Sequence, residues 1–215
     1  MEPPSERTRV RRAAERADYD AATINSILDE ALICHVGIVS AAGHPVVIPT
    51  IHARDGDTLY IHGSPASRLL RSMKAGDEIC VTVTLVDGLV VARSAFHNSM
   101  NYRSVVVFGT PRIVDERDEK LAALQLITDQ LIEGRWDESR PVLEKEIKGT
   151  LVVALPLEEA SAKVRTGGPI DDEGDYDFPI WAGVIPLQLA AGDPIDDYRL
   201  LEGMEPPASV TDYRR

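Results

Sequence analysis

Apolar residues recur along this chain with two different periods, one that predicts helices and one that predicts β-strands. Residues 20–32 place Ile24, Ile27 and Leu28 on one helical face behind Asp20, a residue type that caps helix N-termini. Other segments with helical spacing or helix-start and helix-stop residues predict further helices at 64–75, 115–133 and 139–147.

The strands are predicted from period-two alternation and from short apolar runs between turn residues. In residues 58–63, Leu59 and Ile61 alternate with polar or amphipathic residues, which is typical of a half-buried strand. The dipeptide Asp87–Gly88 predicts a hairpin between two strands. The other predicted strands span residues 33–40, 44–53, 78–86, 88–95, 101–114, 150–157, 161–167 and 181–189.

This order of elements predicts a mainly β, α+β fold with a barrel-like sheet. Strands and helices do not alternate, which disfavours a doubly wound parallel sheet. The sequence also contains neither a G-x-G-x-x-G nor a P-loop motif. We divide the chain into a basic, flexible N-terminal arm (1–18), one barrel domain (19–190) and a C-terminal tail (191–215).

Composition and charge limit the classes of partner. The 215 residues carry a formal net charge of −12, which argues against general nucleic-acid binding because that requires a basic surface. No apolar run is long enough to cross a membrane, and residues 1–5 lack the apolar core of a secretory signal. We therefore expect a cytoplasmic protein in which Cys34 and Cys80 are reduced.

Residues 62–68 form the first candidate binding site, where a strand leads into a predicted helix. With Ser64 as N-cap and Pro65 in the first turn, the helix presents free backbone N–H groups that can bind a phosphate. Ser67 and Arg68 add a hydroxyl donor and a charged donor. A routine serine cap explains the same residues equally well, so this segment alone leaves both interpretations open.

Two further segments place polar or cationic residues at strand ends. Residues 101–104 precede an apolar run, which indicates either the solvent-accessible end of a binding site or a barrel rim where Arg103 forms a surface ion pair. Lys163 and Arg165 project from the same face of a strand, and two adjacent cations need a nearby anion. A bound phosphate could provide it, but the acidic loop 171–177 is the explanation that the residues alone favour.

Trp181 is the fourth candidate. A large aromatic among small residues can cover a planar ring or anchor a subunit contact, although core packing is its commoner role.

The five histidines are too dispersed to predict a metal site, while His52 and His62 could face one cavity. The sequence contains no nucleophile motif, and no catalytic residue can be assigned.

Three stretches of the chain, taken together, resemble a known family. HGSPASRLLRSM, SAFHNSMNYRSVVVFG and AKVRTG…WAGVIPL, in this order, are similar to the proteins that bind flavin mononucleotide (FMN) in the pyridoxamine 5′-phosphate oxidase-like split-barrel superfamily, near the nitroimidazole-resistance (Nim) reductases. The resemblance spans residues 20–190. It implies a split β-barrel of Greek-key-like antiparallel strands with flanking helices, and a homodimer with FMN at the subunit interface.

The resemblance also implies a set of cofactor-binding residues and a function. The leading hypothesis is an oxidoreductase in which FMN accepts a hydride from NADH or NADPH and passes electrons to a small electrophile. The alternatives are a non-catalytic FMN carrier or sensor, and a split barrel that binds haem or a deazaflavin instead. The C-terminus lacks the basic ending of true pyridoxamine phosphate oxidases, so that activity is not expected. The residues implied to bind FMN are Pro49, Thr50, Ile51, His62, Gly63, Ser64, Ser67, Arg68, Asn101, Tyr102, Arg103, Ser104, Lys163, Arg165 and Trp181.

Overall fold

The computed structural model describes residues 2–214, in which runs of consecutive strands are separated by a few helices. The strands are β1 (Ala17–Asp18), β2 (Ile33–Val39), β3 (Pro45–Ile51), β4 (Ala53–Asp55), β5 (Thr58–Gly63), β6 (Ile79–Val91), β7 (Ser99–Gly109), β8 (Arg112–Ile113), β9 (Leu151–Pro156), β10 (Ala160–Arg165) and β11 (Gly183–Pro186). The helices are α1 (Ala21–Glu30), α2 (Arg68–Lys74), α3 (Arg117–Leu131), α4 (Arg135–Glu138), α5 (Glu144–Gly149) and α6 (Ala208–Thr211).

The strands form two antiparallel sheets. The larger sheet has the order β1-β10-β7-β6-β2-β3, with β11 paired to the other part of β6, and the smaller has the order β4-β5-β9-β8. The predicted fold class, an antiparallel split barrel with flanking helices, is confirmed. Among the described residues, no helix combines the length and the apolar character needed to cross a membrane.

The main core lies between the inner faces of the two sheets. Val36, Val81 and Val105 of the larger sheet are buried in one cluster with Leu59 and Leu155 of the smaller sheet, and α1 and α2 contribute to the same cluster. A second cluster packs α3 against the other face of the smaller sheet. The period-two alternation of the strands thus places one set of side chains inside and leaves the other set on the opposite face.

The opposite face of the larger sheet carries most of the residues considered below, and we call it the outer face. Residues that are directly paired across antiparallel strands share one face of a sheet, so the register fixes its membership. Most of its side chains are half-buried or exposed. From β3 to β10, the outer face includes Pro49, His35, Thr82, Thr84, Tyr102, Ser104, Lys163 and Arg165.

The hairpin predicted at Asp87–Gly88 was wrong. Residues 79–91 form the single strand β6, whose register against β7 shifts between Val86 and Gly88. Asp87 is the extra residue of a β-bulge, which re-aims the strand without ending it. Asp–Gly is a local turn signal, but pairing with β7 on both sides of the bulge keeps the chain extended.

The start predicted for α2 was also wrong. Its N-cap is Ser67, whose Oγ accepts a hydrogen bond from the backbone N–H of Leu70 at 3.2 Å. Ser64 instead closes a turn before the helix, since its carbonyl accepts from the N–H of Ser67 at 2.9 Å. Pro65 suits the second position of such a turn as well as it suits a first helical turn.

Most of the remaining predicted elements differ at their ends, but the helix predicted over 139–147 was only partly right, because residues 139–143 lie outside any helix and α5 begins at Glu144. The strand predicted over residues 101–114 divides into β7 and β8, which belong to different sheets, with a break around Pro111, which has no N–H to donate. Helices α1 and α3 lie within two residues of their predicted bounds. The predicted C-terminal tail (191–215) contains the short helix α6.

His52 is a completely buried polar residue between β3 and β4. Its Nε2 lies 3.0 Å from the carbonyl oxygen of Leu28, so Nε2 carries the proton and donates it. Its Nδ1 has no hydrogen-bond partner among the described residues. Burial lowers the pKa of His52 below its usual value of 6.5.

We expect the free energy of unfolding to decrease when the pH falls from 7.5 to 5.5. In the unfolded chain His52 binds a proton near pH 6.5, whereas the folded protein resists protonation until a lower pH. The stabilisation that follows from this difference in the pKa of His52 is therefore present above pH 6.5, and it is lost as the pH falls toward the pKa of His52 in the folded protein. Urea denaturation at both pH values measures it. The free energy of unfolding should depend less on pH in a His52→Gln variant. In the control His44→Gln, which changes an exposed histidine, its pH dependence should equal that of the wild type. Equal pH dependence in all three proteins would contradict the assignment of the effect to His52.

Candidate functional site

Neighbouring strands bring four of the predicted site residues together on the outer face. Ser104 of β7 pairs directly with Lys163 of β10, and Tyr102 pairs with Arg165. The Oγ of Ser104 donates a hydrogen bond to the carbonyl oxygen of Lys163 at 3.2 Å. Asn101 joins them because its side chain contacts that of Arg165. Residues 59 to 64 positions apart in the sequence thus form one polar cluster.

Arg165 is a buried cation whose charge is not balanced by a carboxylate. The residue is only 6% exposed, and its guanidinium donates to the Oδ1 of Asn101 and to the carbonyl oxygens of Gly167 and Gly168. Burial first, and then the charge of Arg16, lowers the pKa of Arg165. Among the described residues, no acidic side chain lies within ion-pairing distance of it.

Lys163 lies beside Arg165 on the same face and likewise has no acidic partner in the described part of the chain. Its Nζ donates to the backbone carbonyl of Arg12 at 2.8 Å, and its backbone pairs with β1. The acidic loop 171–177 does not neutralise these cations, contrary to the interpretation that the sequence favoured. Asp171, the buried acid of that loop, pairs with Arg93 at 3.0 Å instead.

Arg103 has a different environment from its neighbours on β7. Its side chain lies opposite the outer face, where it donates to Asp87 and Glu30. These two carboxylates raise the pKa of Arg103 above its ordinary value. The ion-pair alternative considered for this residue is therefore what the structure shows, and contact with a cofactor stays a prediction.

A broad groove of about 1,420 Å³ adjoins Arg103. Six carboxylates and only two arginines line it, so its electrostatic potential disfavours an anionic ligand such as a flavin phosphate. The carboxylates are Glu30, Asp87, Asp129, Glu133, Glu138 and Asp212. Charge therefore favours the outer face near Lys163 and Arg165 over this larger groove as an anion site.

A second, smaller cavity of about 270 Å³ contains His62. Most of its lining is apolar and comes from Ile51 and from residues of α3 to α5, including Leu131 and Trp136. The Nδ1 of His62 is buried and has no hydrogen-bond partner among the described residues. Burial lowers the pKa of His62, so the ring is neutral at pH 7. His52 does not line this cavity, so the two histidines do not share it.

In the described structure, no hydrogen bond or strand pairing joins the predicted residues of β3, β5 and α2 to the Lys163–Arg165 cluster. Ser67 and Arg68 begin α2 after β5, and neither the groove nor the His62 cavity is lined by Arg68 or Lys163. Gly63 packs closely, because a Cβ there would lie 3.2 Å from Leu70 Cδ2. On β3, Pro49 belongs to the outer face, while the neighbouring Thr50 and Ile51 alternate across the strand.

Trp181 is 66% exposed, so the core role considered for it was wrong. Its ring lies over Gly183, where an added Cβ would be 2.9 Å from Trp181 Cζ2.

The other tryptophan, Trp136, was missed by sequence reasoning although it lines the His62 cavity. An isolated aromatic within the polar stretch EGRWDE was the signal that could have identified it.

The comparisons with known proteins identify the family and the fold. A family model described as pyridoxamine 5′-phosphate oxidase matches residues 20–164. The solved structure of the flavocytochrome Anf3 from Azotobacter vinelandii is 44% identical, with a TM-score of 0.94, and the match covers 100% of this chain and 99% of that one.

Two further solved structures extend the comparison. The FAD- and haem-binding protein from Mycobacterium smegmatis is 37% identical over 92% of this chain and 96% of its own, with a TM-score of 0.87. A putative 5-nitroimidazole antibiotic resistance protein from Bacteroides thetaiotaomicron, 24% identical with a TM-score of 0.59, covers 69% of this chain and 86% of its own and shares the fold. No curated protein matches the sequence. The resemblance predicted from three sequence stretches is confirmed, and the chain belongs to the pyridoxamine 5′-phosphate oxidase-like family.

Proposed function

We propose that this protein binds a flavin nucleotide and a haem as a homodimer, and transfers electrons from NADH or NADPH to a small electrophilic acceptor. Two relatives above 35% identity support the cofactor pair, since one is a flavocytochrome and the other is described as binding FAD and haem. The haem that the sequence suggested as a substitute for flavin is thus proposed as its companion. A shared fold alone would not support this, so the proposal depends on the residues of the sites.

The observation that carries the flavin part is the buried, unbalanced positive charge on the outer face. A buried guanidinium with only carbonyl partners is costly unless an anion offsets its charge. Lys163 adds a second cation on the same face. A bound flavin supplies hydride and single-electron chemistry, and the task of these side chains is to hold its anionic groups and to favour its reduced, anionic form.

We propose FAD as the flavin. The family resemblance implied FMN, which carries one phosphate, but the M. smegmatis relative is described with FAD, which carries two. Three cations, Arg16, Lys163 and Arg165, occur together at this edge of the outer face: the backbone of Lys163 pairs with Ala17, and the charge of Arg16 acts on Arg165. Three cations suit a diphosphate better than a single phosphate.

We propose that the haem binds beside His62, where the cavity of about 270 Å³ would have to widen to admit the whole macrocycle. An apolar lining fits the porphyrin faces, and a neutral imidazole with an available lone pair is a common axial ligand of haem iron. His62 is uncharged at pH 7 because burial lowers its pKa, and its Nδ1 is a buried acceptor that has no partner in the described structure. We therefore assign His62 to haem binding in place of the flavin contact that the resemblance implied.

We propose that two copies meet through their outer faces. Val39 and Val47 are large apolar residues that are more than half exposed on this face. Apolar side chains in such a position are typical of an interface. A two-fold axis would then build each flavin site from both chains, and would allow residues such as Arg68 and Trp181 to complete it.

Anaerobic rapid mixing with NADH or NADPH tests the proposed electron transfer. We expect the flavin absorbance near 450 nm to bleach faster than that of free FAD, followed by the spectral change of haem reduction. One nicotinamide should be preferred, because a protein site distinguishes the two through the 2′-phosphate. Bleaching no faster than that of free flavin with either nucleotide would contradict the proposal and favour a carrier or sensor.

A further inference from the structure

A segment near the C-terminus protrudes from the molecule although both of its ends are held by the same chain. Before it, the N–H of Leu187 donates to the carbonyl oxygen of Asp87 at 3.0 Å. After it, Ser209 donates to the carboxylate of Glu138. Every residue from 190 to 205 between these anchors is exposed. We call residues 190–205 the arm, which is a different segment from the N-terminal arm of residues 1–18. The arm is therefore a long loop rather than a free end.

The arm exposes large apolar side chains that loops of this kind normally pack against their own domain. Ile195 is 95% exposed and Tyr198 is 91% exposed, and Leu201 and Met204 are also mostly exposed. A cluster of exposed apolar residues in a soluble chain indicates an interaction surface. Something other than the arm's own barrel must cover these side chains.

The charge of the arm restricts what that partner can be. It contains five carboxylates and one arginine, a formal charge of −4, and none of the five forms an ion pair with a described residue. This charge disfavours anionic lipid surfaces and nucleic acids. It favours a partner surface that is basic as well as partly apolar.

Such a surface occurs on the chain itself, at residues 7–16, which we call the basic segment. It contains five arginines and one glutamate. Arg12 is exposed and has no ion pair in the described structure, whereas each of the other four arginines pairs with a glutamate. Its end leads directly into β1 at the edge of the outer face. No hydrogen bond or ion pair between described side chains joins the arm to the basic segment of its own chain.

We propose that the arm of each copy lies across the basic segment and the adjoining outer-face edge of a second copy. This inference rests on the homodimer of the proposed function and adds the segment that holds it together. The arm's acids would face arginines of the partner, while Ile195 and Tyr198 would lose their exposure. Because the partner's basic segment also borders Lys163, the exchanged arms would close the edge of both flavin sites.

A photo-cross-linking experiment tests the arm directly. The variant Tyr198→p-benzoylphenylalanine is prepared in ¹⁴N and ¹⁵N forms, which are mixed, illuminated and digested. We expect mixed-isotope peptides that join position 198 to residues 7–16. Cross-links confined to one chain, cross-links to another surface, or none would overturn the proposal. The control Leu143→p-benzoylphenylalanine, at an exposed site outside the arm, should give no cross-link to the basic segment.

Charge exchange provides the second test. We expect Asp196→Lys/Asp197→Lys to raise the dimer dissociation constant about tenfold, and added Arg11→Glu/Arg12→Glu to restore it in part. The control Glu133→Lys/Asp137→Lys makes the same charge change at exposed residues outside the arm. Analytical ultracentrifugation measures the dissociation constant, and absorbance measures bound flavin and haem. An unchanged dimer that retains both cofactors would overturn the arm assignment and leave the proposed function intact. Wild-type protein without cofactors would overturn the proposed function and leave the arm assignment intact.

Discussion

A His62→Ala variant is expected to lose most of its haem and to keep its flavin. In the structure the imidazole lines an apolar cavity, and its Nδ1 has no protein partner among the described residues. If His62 holds the haem iron, its removal should lower haem occupancy at least about tenfold, since even loss of a residue that only supports a metal ligand typically costs 10- to 100-fold in affinity. The pyridine haemochrome assay measures haem, and the absorbance of released flavin measures the second cofactor.

Two controls separate ligand loss from general damage. His44→Ala changes an exposed histidine in a turn and should leave haem content unchanged. Added imidazole should partly restore haem binding to His62→Ala, because it can occupy the space that the side chain leaves. Full haem occupancy in His62→Ala without imidazole would show that another residue holds the iron.

The double substitution Lys163→Met/Arg165→Met is expected to weaken flavin binding about 100-fold and to lower the reduction potential of the flavin that still binds. Each charge-assisted hydrogen bond contributes about 1.5–3 kcal/mol, and a tenfold change in affinity corresponds to about 1.4 kcal/mol. Cations near the flavin favour its reduced anion, so the potential should fall when they are removed. Titration of the apoprotein measures affinity, and spectroelectrochemistry measures the potential.

Arg112→Met is the matched control for this substitution. Arg112 also carries a guanidinium on a strand, but it belongs to the smaller sheet and pairs with Glu119. Its loss should leave both the affinity and the potential unchanged. If the double variant bound flavin normally at an unchanged potential, the outer face would not be the flavin site.

The strands of the larger sheet could be predicted largely because one face of each is buried, and those of the smaller sheet because their apolar residues are buried on both faces. The prediction for residues 58–63 coincides with β5, in which Leu59 and Ile61 are fully buried. The Asp87–Gly88 prediction failed for a physical reason, since a turn propensity of two residues was outweighed by pairing with β7 on both sides. At α2, two serines of equal capping propensity competed, and the sequence alone does not distinguish them.

The candidate site could be predicted only in part. The resemblance identified Ser104 and Lys163, but only the register of β7 against β10 shows that they are adjacent. The partner of each charge could not be predicted, because ion pairing depends on contacts between distant segments. Asp171 is 78 residues from Arg93, and their pairing leaves Lys163 and Arg165 without the acidic neighbour that proximity in the sequence suggested.

The cofactor composition of the purified protein tests the central claim most directly. After expression with iron and riboflavin supplied, mass spectrometry and absorbance of the molecules released on denaturation should show about one FAD and one haem per chain. FMN in place of FAD would correct the identity of the flavin. Protein that folds as a dimer but contains no flavin or no haem, even after incubation with FAD and haemin, would contradict the account.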